Sequence, residues 1–284
     1  MKILLTGSTG FVGRWIKQQL SPFHDIVETG RNPNLQSEII QCDLSHRDEV
    51  LRLAEKITPD AIIHAAGNKN IRGCEQNPQA AAEANTQSTE NLLTVFGKRL
   101  IYISTDFVFE GKTGAYTERD TPHPLTVYGQ TKLASEQFGL NSSGLFQVMR
   151  LSALYTPDSP FVTTLHDALV NQKPIECFTD THFSPTYIGE FIDVLKATLD
   201  DSSLHLRTIH ACGAPQSRYD FAVSYAQAYG FDTQLVIPNK VPNANRLIFP
   251  EDISLDNKVT RQHYGIAART PAECLTDMRT QWNM

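Results

Sequence analysis

Cysteine is sparse and unpatterned: Cys42, Cys74, Cys177, Cys212 and Cys274 are the five in 284 residues, with no Cys-x-x-Cys pair. An odd, scattered set argues against a disulfide framework and against a zinc site. Histidine lacks pattern too. None of the nine falls in a His-Glu-x-x-His or similar ligand cluster, so no metal is expected. Basic charge is in deficit, with 25 Lys and Arg against 31 Asp and Glu for a formal net charge of −6. That balance gives no cationic surface for nucleic acid or for an anionic membrane. No apolar run approaches the ~20 residues of a membrane span. The opening run Ile3 to Leu5 is too short for a signal peptide and leads straight into glycines. A cytoplasmic protein is expected, which makes the sequon Asn141-Ser142-Ser143 accidental. Internal repeats, low-complexity tracts and flexible linkers are also missing.

What is present is more specific. Tyr128-Gly129-Gln130-Thr131-Lys132 puts a phenol and an ammonium at i and i+4 of an expected helix, on one face. A free tyrosine, with a pKa of about 10, exchanges protons poorly at neutral pH. A nearby lysine charge stabilises the phenolate and is expected to lower that pKa. Alone, such a pair also arises on solvated helix faces, so its neighbours decide.

The first neighbour is Gly7-Ser-Thr9-Gly10-Phe11-Val12-Gly13, which follows the apolar run and precedes an amphipathic segment. Gly7 suits a tight turn, Gly10 lets backbone approach a pyrophosphate, and Gly13 lets a helix pack closely on the strand. The helix expected from Phe11 would point its first amides at the phosphates. A strand before and a helix after are the context that makes this spacing a dinucleotide turn.

Strands are expected at 2–6, 26–29, 39–41, 61–64, 99–104 and 146–151, and helices at 11–20, 48–56, 78–96 and 128–139. Alternation of this kind gives an α/β fold, a Rossmann-type doubly wound parallel sheet. After Leu151 prolines multiply and the elements shorten, with helices expected at 161–171, 188–199, 219–229 and 271–281. These suit a smaller C-terminal substrate-binding lobe. Ligands of such sheets bind at the carboxyl ends of the strands, which gathers the glycine turn, Ala65-Ala66-Gly67 and Ser104-Thr105-Asp106 at one edge.

The second neighbour of the Tyr-Lys pair is Ser104-Thr105-Asp106-Phe107-Val108-Phe109-Glu110-Gly111. A hydroxyl at a strand end can bond a carbonyl oxygen that gains charge as hydride arrives. The simpler alternative is that Ser104 and Thr105 only satisfy backbone groups there.

Together these residues resemble the extended short-chain dehydrogenase/reductase family. Asp43-Leu44 looks like its adenine-flanking pair, His64-Ala65-Ala66-Gly67 like the wall behind the nicotinamide ribose, and Asn85 like the helix asparagine that supports the site. Within the family, the Ser104 to Gly111 segment, Ser184-Pro-Thr-Tyr187, Arg218-Tyr-Asp-Phe-Ala222 and Pro250 to Asp256 are closest to the dTDP-4-dehydrorhamnose reductases. Two segments depart from that group. Phe11-Val12 stands where Gln-Leu is usual, and Asn68-Lys-Asn-Ile-Arg72 replaces Tyr-Thr-x-Val-Asp. Related dehydratases carry an Asp-Glu pair where this chain has Asp106-Phe107, and phenylalanine cannot protonate a leaving hydroxyl.

The resemblance implies a domain of residues 1–151 plus about 186–212 for the dinucleotide, with 152–185 and 213–284 for the substrate. It implies NADPH-dependent reduction of the 4-keto group of a nucleotide-activated deoxysugar, with Thr105, Tyr128 and Lys132 as the catalytic set. Thr105, Asp106, Phe107 and Arg246 are the expected substrate contacts. Arg246 is a candidate for the diphosphate, against the simpler alternative of a surface ion pair. Two alternatives stay open: a sugar-nucleotide epimerase, and a non-catalytic dinucleotide-binding regulatory subunit. A homodimer is compatible with either. For the cofactor, the second strand ends in Gly30-Arg31 rather than in an acid that would bond a ribose 2′-hydroxyl, which favours NADP over NAD. A register shift that brought Glu28 to the strand end would reverse that preference.

Overall fold

The structure is a computed structural model and describes residues 1–31, 38–142 and 144–282. Ser143, the last residue of the sequon, lies outside the described residues. The first strand shows why a parallel sheet forms. Within β1 (Lys2–Thr6), Ile3, Leu4 and Leu5 are all fully buried, the continuous apolar run of a strand covered on both faces. The strands β2 (Asp25–Gly30), β3 (Ile40–Gln41), β4 (Ala61–His64), β5 (Arg99–Thr105) and β6 (Phe146–Leu151) follow in chain order. They are joined by β7 (Leu154–Tyr155), β8 (Ile175–Phe178), β9 (His182–Phe183), β10 (Thr186–Tyr187), β11 (Thr208–Ala211), β12 (Gln216–Ser217) and β13 (Val236–Asn239).

Seven of these make the main sheet, in the order β11-β6-β5-β4-β1-β2-β3, with parallel pairing from β5 through to β3. The order reverses between β1 and β4, so the crevice of a doubly wound sheet opens there. Among the helices, α1 (Phe11–Leu20) buries Trp15, Ile16 and Leu20, and α2 (Arg47–Lys56) buries Val50 and Leu53. Next come α3 (Ile71–Gln76), α4 (Pro78–Ala82), a π turn at Glu83–Gln87, α5 (Ser88–Phe96) and α6 (Val127–Ser142). Leu4, Ile62, Leu100, Tyr102 and Val148 of the sheet pack with Val50, Leu53 and Leu92 in one apolar core.

The chain divides into two compact units. The first is Met1–Val108, Pro122–Arg150 and Ser202–Ile209, and the second is Phe109–Thr121, Leu151–Asp201 and His210–Met284. The segment 186–212, expected with the dinucleotide part, divides between them. Strand β11 joins the main sheet, whereas the helix Ile188–Asp200 belongs to the second unit. That helix, α8, follows α7 (Pro160–Val170) and precedes α9 (Arg218–Tyr229), α10 (Lys258–Tyr264) and α11 (Pro271–Trp282). Arg261 of α10 anchors α8 through an ion pair with Glu190 at 2.7 Å. Residues 109–121 also fall in the second unit, because Tyr116 bridges Leu255 and the Ala115 amide donates to Ser254 Oγ at 2.8 Å.

Candidate active site

Gly7 has φ +71°, and a Cβ there would lie 2.6 Å from the Ala66 nitrogen. A Cβ on Gly13 would lie 2.0 Å from the Gly7 carbonyl oxygen, so α1 reaches the turn only with glycine at that position. Gly10 is the N-cap of α1 and supplies no side-chain cap, which leaves the first amides of α1 for an external acceptor. Phe11, Val12 and Gly13 form that first turn.

A cleft of about 370 Å³ opens over this turn, within the usual ~300–1,000 Å³ of small-molecule sites. Gly7, Thr9 and Gly10 form its floor, Thr29 to Arg31 and Asp43 to His46 one wall, and Ala65 to Gly67 another. Arg31 is part of the first wall. Glu28 does not reach the cleft. Its register opposite Leu5 leaves it beside α1, in an ion pair with Lys17 at 2.5 Å. Burial tends to raise the Asp43 carboxyl, but two hydrogen bonds from Ser45 and the charges of His46 and Arg31 bring it below its ordinary range.

Asn85, expected among the cofactor contacts, sits in the π turn at 1% exposure and does not line the cleft. Its Oδ1 accepts from the Asn68 amide at 2.6 Å, and its Nδ2 donates to the Asn68 carbonyl and to Thr131 Oγ1. The π turn frees the Asn85 carbonyl, which accepts from the hydroxyls of Thr89 and Ser135. Asn85 is thus a positioning residue that ties the loop after β4 to α6. The divergent segment Asn68–Arg72 starts a helix the sequence did not suggest, with Asn70 capping α3 through the Gly73 amide.

Helix α6 hides a polar face: Thr131, Lys132, Ser135 and Glu136 are all buried. Its start is fixed by Glu75, whose carboxylate accepts the Val127 amide at 2.7 Å. Gly129 lets α6 approach the turn after β5, since a Cβ there would lie 2.1 Å from the Phe107 carbonyl oxygen. Tyr128 consequently faces Thr105, and its ring packs against Phe107 at 6.1 Å between centroids. The Thr105 hydroxyl donates to Asp106 Oδ1 at 2.9 Å and accepts from the Phe107 amide at 3.3 Å.

Lys132 departs from expectation. Its ammonium donates to the Ile103 carbonyl at 2.6 Å and lies 3.9 Å over the Tyr102 ring. Burial pushes its pKa down to about 7, against an upward pull from Glu136. Tyr128 is not lowered by this lysine. Burial raises the phenol, the Thr105 hydroxyl opposes that, and the Asp106 charge adds to it. Below the pair, Glu136 accepts from Ser104 Oγ at 2.5 Å and from Arg150 at 2.7 Å, a buried network linking α6, β5 and β6. The sequence reading missed Glu136, although it continues the i, i+4 series of Tyr128 and Lys132. His64 is a core histidine, bonded to Thr6 and Thr89 and held to about 3 by burial and then by Lys132.

Arg246 takes the simpler alternative. Its guanidinium pairs with the Asp180 carboxylate and donates to the Asp180 carbonyl at 2.8 Å. Among the described residues no group of His, Cys, Asp and Glu could hold a metal ion, and no helix is long and apolar enough to cross a membrane.

Residues 1–283 match the family described as RmlD substrate binding domain. The chain belongs to that family. It is 27% identical to a dTDP-4-dehydrorhamnose reductase of Aggregatibacter actinomycetemcomitans, over 98% of this chain and 90% of the relative. It is 29% identical to the methionine adenosyltransferase 2 subunit beta of Mus musculus, over 95% of this chain and 84% of that protein. A crystal structure of a dTDP-4-dehydrorhamnose reductase ortholog from Clostridium acetobutylicum superposes with a TM-score of 0.85 at 26% identity, covering all of both chains.

Proposed function

We propose that the protein reduces the 4-keto group of a nucleotide-activated deoxysugar with NADPH. The reading rests above all on Thr105 and Tyr128 facing each other at the end of β5, in the same unit as the glycine-turn cleft, whose lining does not itself include them. The cleft fits a dinucleotide: uncapped α1 amides suit the pyrophosphate, and Asp43 and Leu44 suit the adenosine end. Gly30 and Arg31, with Glu28 paired elsewhere, suit a 2′-phosphate. When bound, the nicotinamide supplies the hydride for the carbonyl carbon.

The residues do the rest. Thr105 turns its hydroxyl from Asp106 to the substrate oxygen and stabilises the developing alkoxide. Tyr128, kept protonated by its raised pKa, delivers a proton to that oxygen. Lys132, whose ammonium donates to the Ile103 carbonyl, would hold the cofactor ribose if it turned from that carbonyl. Phe107 packs on Tyr128 and offers no second acid, consistent with reduction rather than dehydration.

Similarity to the methionine adenosyltransferase subunit supports a second reading, a dinucleotide-binding regulatory subunit. Screening dTDP-, UDP-, GDP- and CDP-linked 4-keto-sugars for steady NADPH oxidation separates the two. Turnover with at least one sugar is expected. NADPH binding without turnover on any of them would reject the reductase, and isomerisation without net NADPH loss would replace it by an epimerase.

A further inference from the structure

Arg218 opens α9, and the N-terminus of that helix is already closed by a capping box between Ser217 and Asp220. Its guanidinium carbon lies 4.9 Å from the ring centroids of Phe161 and Phe249 and 5.4 Å from that of Phe183. Phe178 packs on Phe249 at 5.3 Å and extends the aromatic surface. Among the described residues, Arg218 makes no side-chain hydrogen bond and no ion pair. Cys177 is the titratable group that acts on it, and burial raises that thiol to about 11, so it is no counter-ion.

Phenylalanine rings attract a cation but accept none of its in-plane hydrogen bonds. The five N–H donors of this half-buried guanidinium therefore have no protein acceptor among the described residues. A fork of donors held at its faces by rings presents its edge to paired oxygens. Phosphate fits that edge bidentately, and the partly exposed rings of Phe161, Phe178 and Phe249 offer flat apolar surface beside it.

We propose that Arg218, set among these phenylalanines, is the subsite for the phosphates of a nucleoside diphosphate. This deepens the nucleotide-sugar reading above and rests on it for the identity of the ligand. The test titrates the NADPH-loaded full-length protein with dTDP, UDP, GDP and CDP, and with the matching nucleosides. At least one diphosphate should bind wild type, about 10-fold or more weaker in Arg218→Met and partly restored in Arg218→Lys. Nucleosides should bind all three proteins alike, and NADPH affinity should not change. Equal diphosphate affinity in Arg218→Met, or no diphosphate binding by wild type, overturns the subsite. If Arg218→Met does not fold, an unweakened Arg218→Lys overturns it, because a point charge cannot replace the fork. Loss of keto-sugar turnover alongside intact, Arg218-dependent diphosphate binding would reject the reductase and leave the subsite standing.

Discussion

Lys132 ties folding stability to pH in a direction that can be worked out. The side chain is 5% exposed, and burial sets its folded pKa at about 7, against 10.5 for an ordinary lysine. Above about pH 10.5 the amine is neutral in both states and contributes nothing. Between about 7 and 10.5 the unfolded chain binds a proton that the folded chain lacks, so stability rises with pH. Below about 7 both states are protonated, and the cost of the buried ammonium is present in full. The slope approaches ~1.4 kcal/mol per pH unit inside the window, so the whole effect is a few kcal/mol. Lys132→Met removes the charge while keeping most of the stem's volume. The variant's urea midpoint, measured without NADPH, should gain most on wild type near pH 6–7 and lose that gain by about pH 10. Differencing the two proteins cancels the other titrating groups. A pH-independent difference would refute the burial argument. A variant that gains on wild type as pH rises would show the ammonium to be net stabilised by Ile103 and Glu136.

Three more outcomes follow from neighbouring contacts. Tyr128→Phe should lower turnover ~10²-fold or more at nearly unchanged NADPH affinity, and near-normal turnover would remove the phenol from the proton transfer. Arg150→Met strands the buried Glu136 carboxylate and should cost ~3–5 kcal/mol in urea unfolding, where a loss under 1 kcal/mol would show the network to be dispensable. Arg31→Ala should shrink a wild-type preference for NADPH over NADH by ~10-fold in kcat/KM, about 1.4 kcal/mol, whereas equal use of both by wild type would end the 2′-phosphate assignment.

Much of the first unit was legible because its signals are local. The expected strands 2–6, 61–64 and 146–151 and the helix 11–20 are found with the same bounds. Continuous apolar runs and a 3.6-residue stripe need no tertiary information. The expected helix 78–96 instead breaks into α4, the π turn and α5, because the turn at Asn85 serves hydroxyls of α5 and α6 that only the fold brings near. The same limit applies to the arginines. Arg246 and Arg218 look alike in sequence, yet Asp180, 66 residues from Arg246, neutralises one, and phenylalanines from three separate segments surround the other.

The proton inventory of the site bears on direction as well as identity. Reduction begins with a protonated acid, whereas epimerisation begins by oxidising a hydroxyl and needs a phenolate first. A phenol at its ordinary pKa of about 10 is already ~99.9% protonated at pH 7, and here burial and Asp106 raise it further. The group that would lower it, the Lys132 ammonium, is bonded to Ile103 and itself pulled toward neutrality. Tyr128 is therefore stocked with the proton a ketone reduction consumes, and the buried network of Glu136, Ser104 and Arg150 stands behind the helix face that presents it. An epimerase built on the same residues would first have to draw the lysine charge back toward the phenol. The resting arrangement keeps the phenol protonated, and the proposed reduction would draw on that proton.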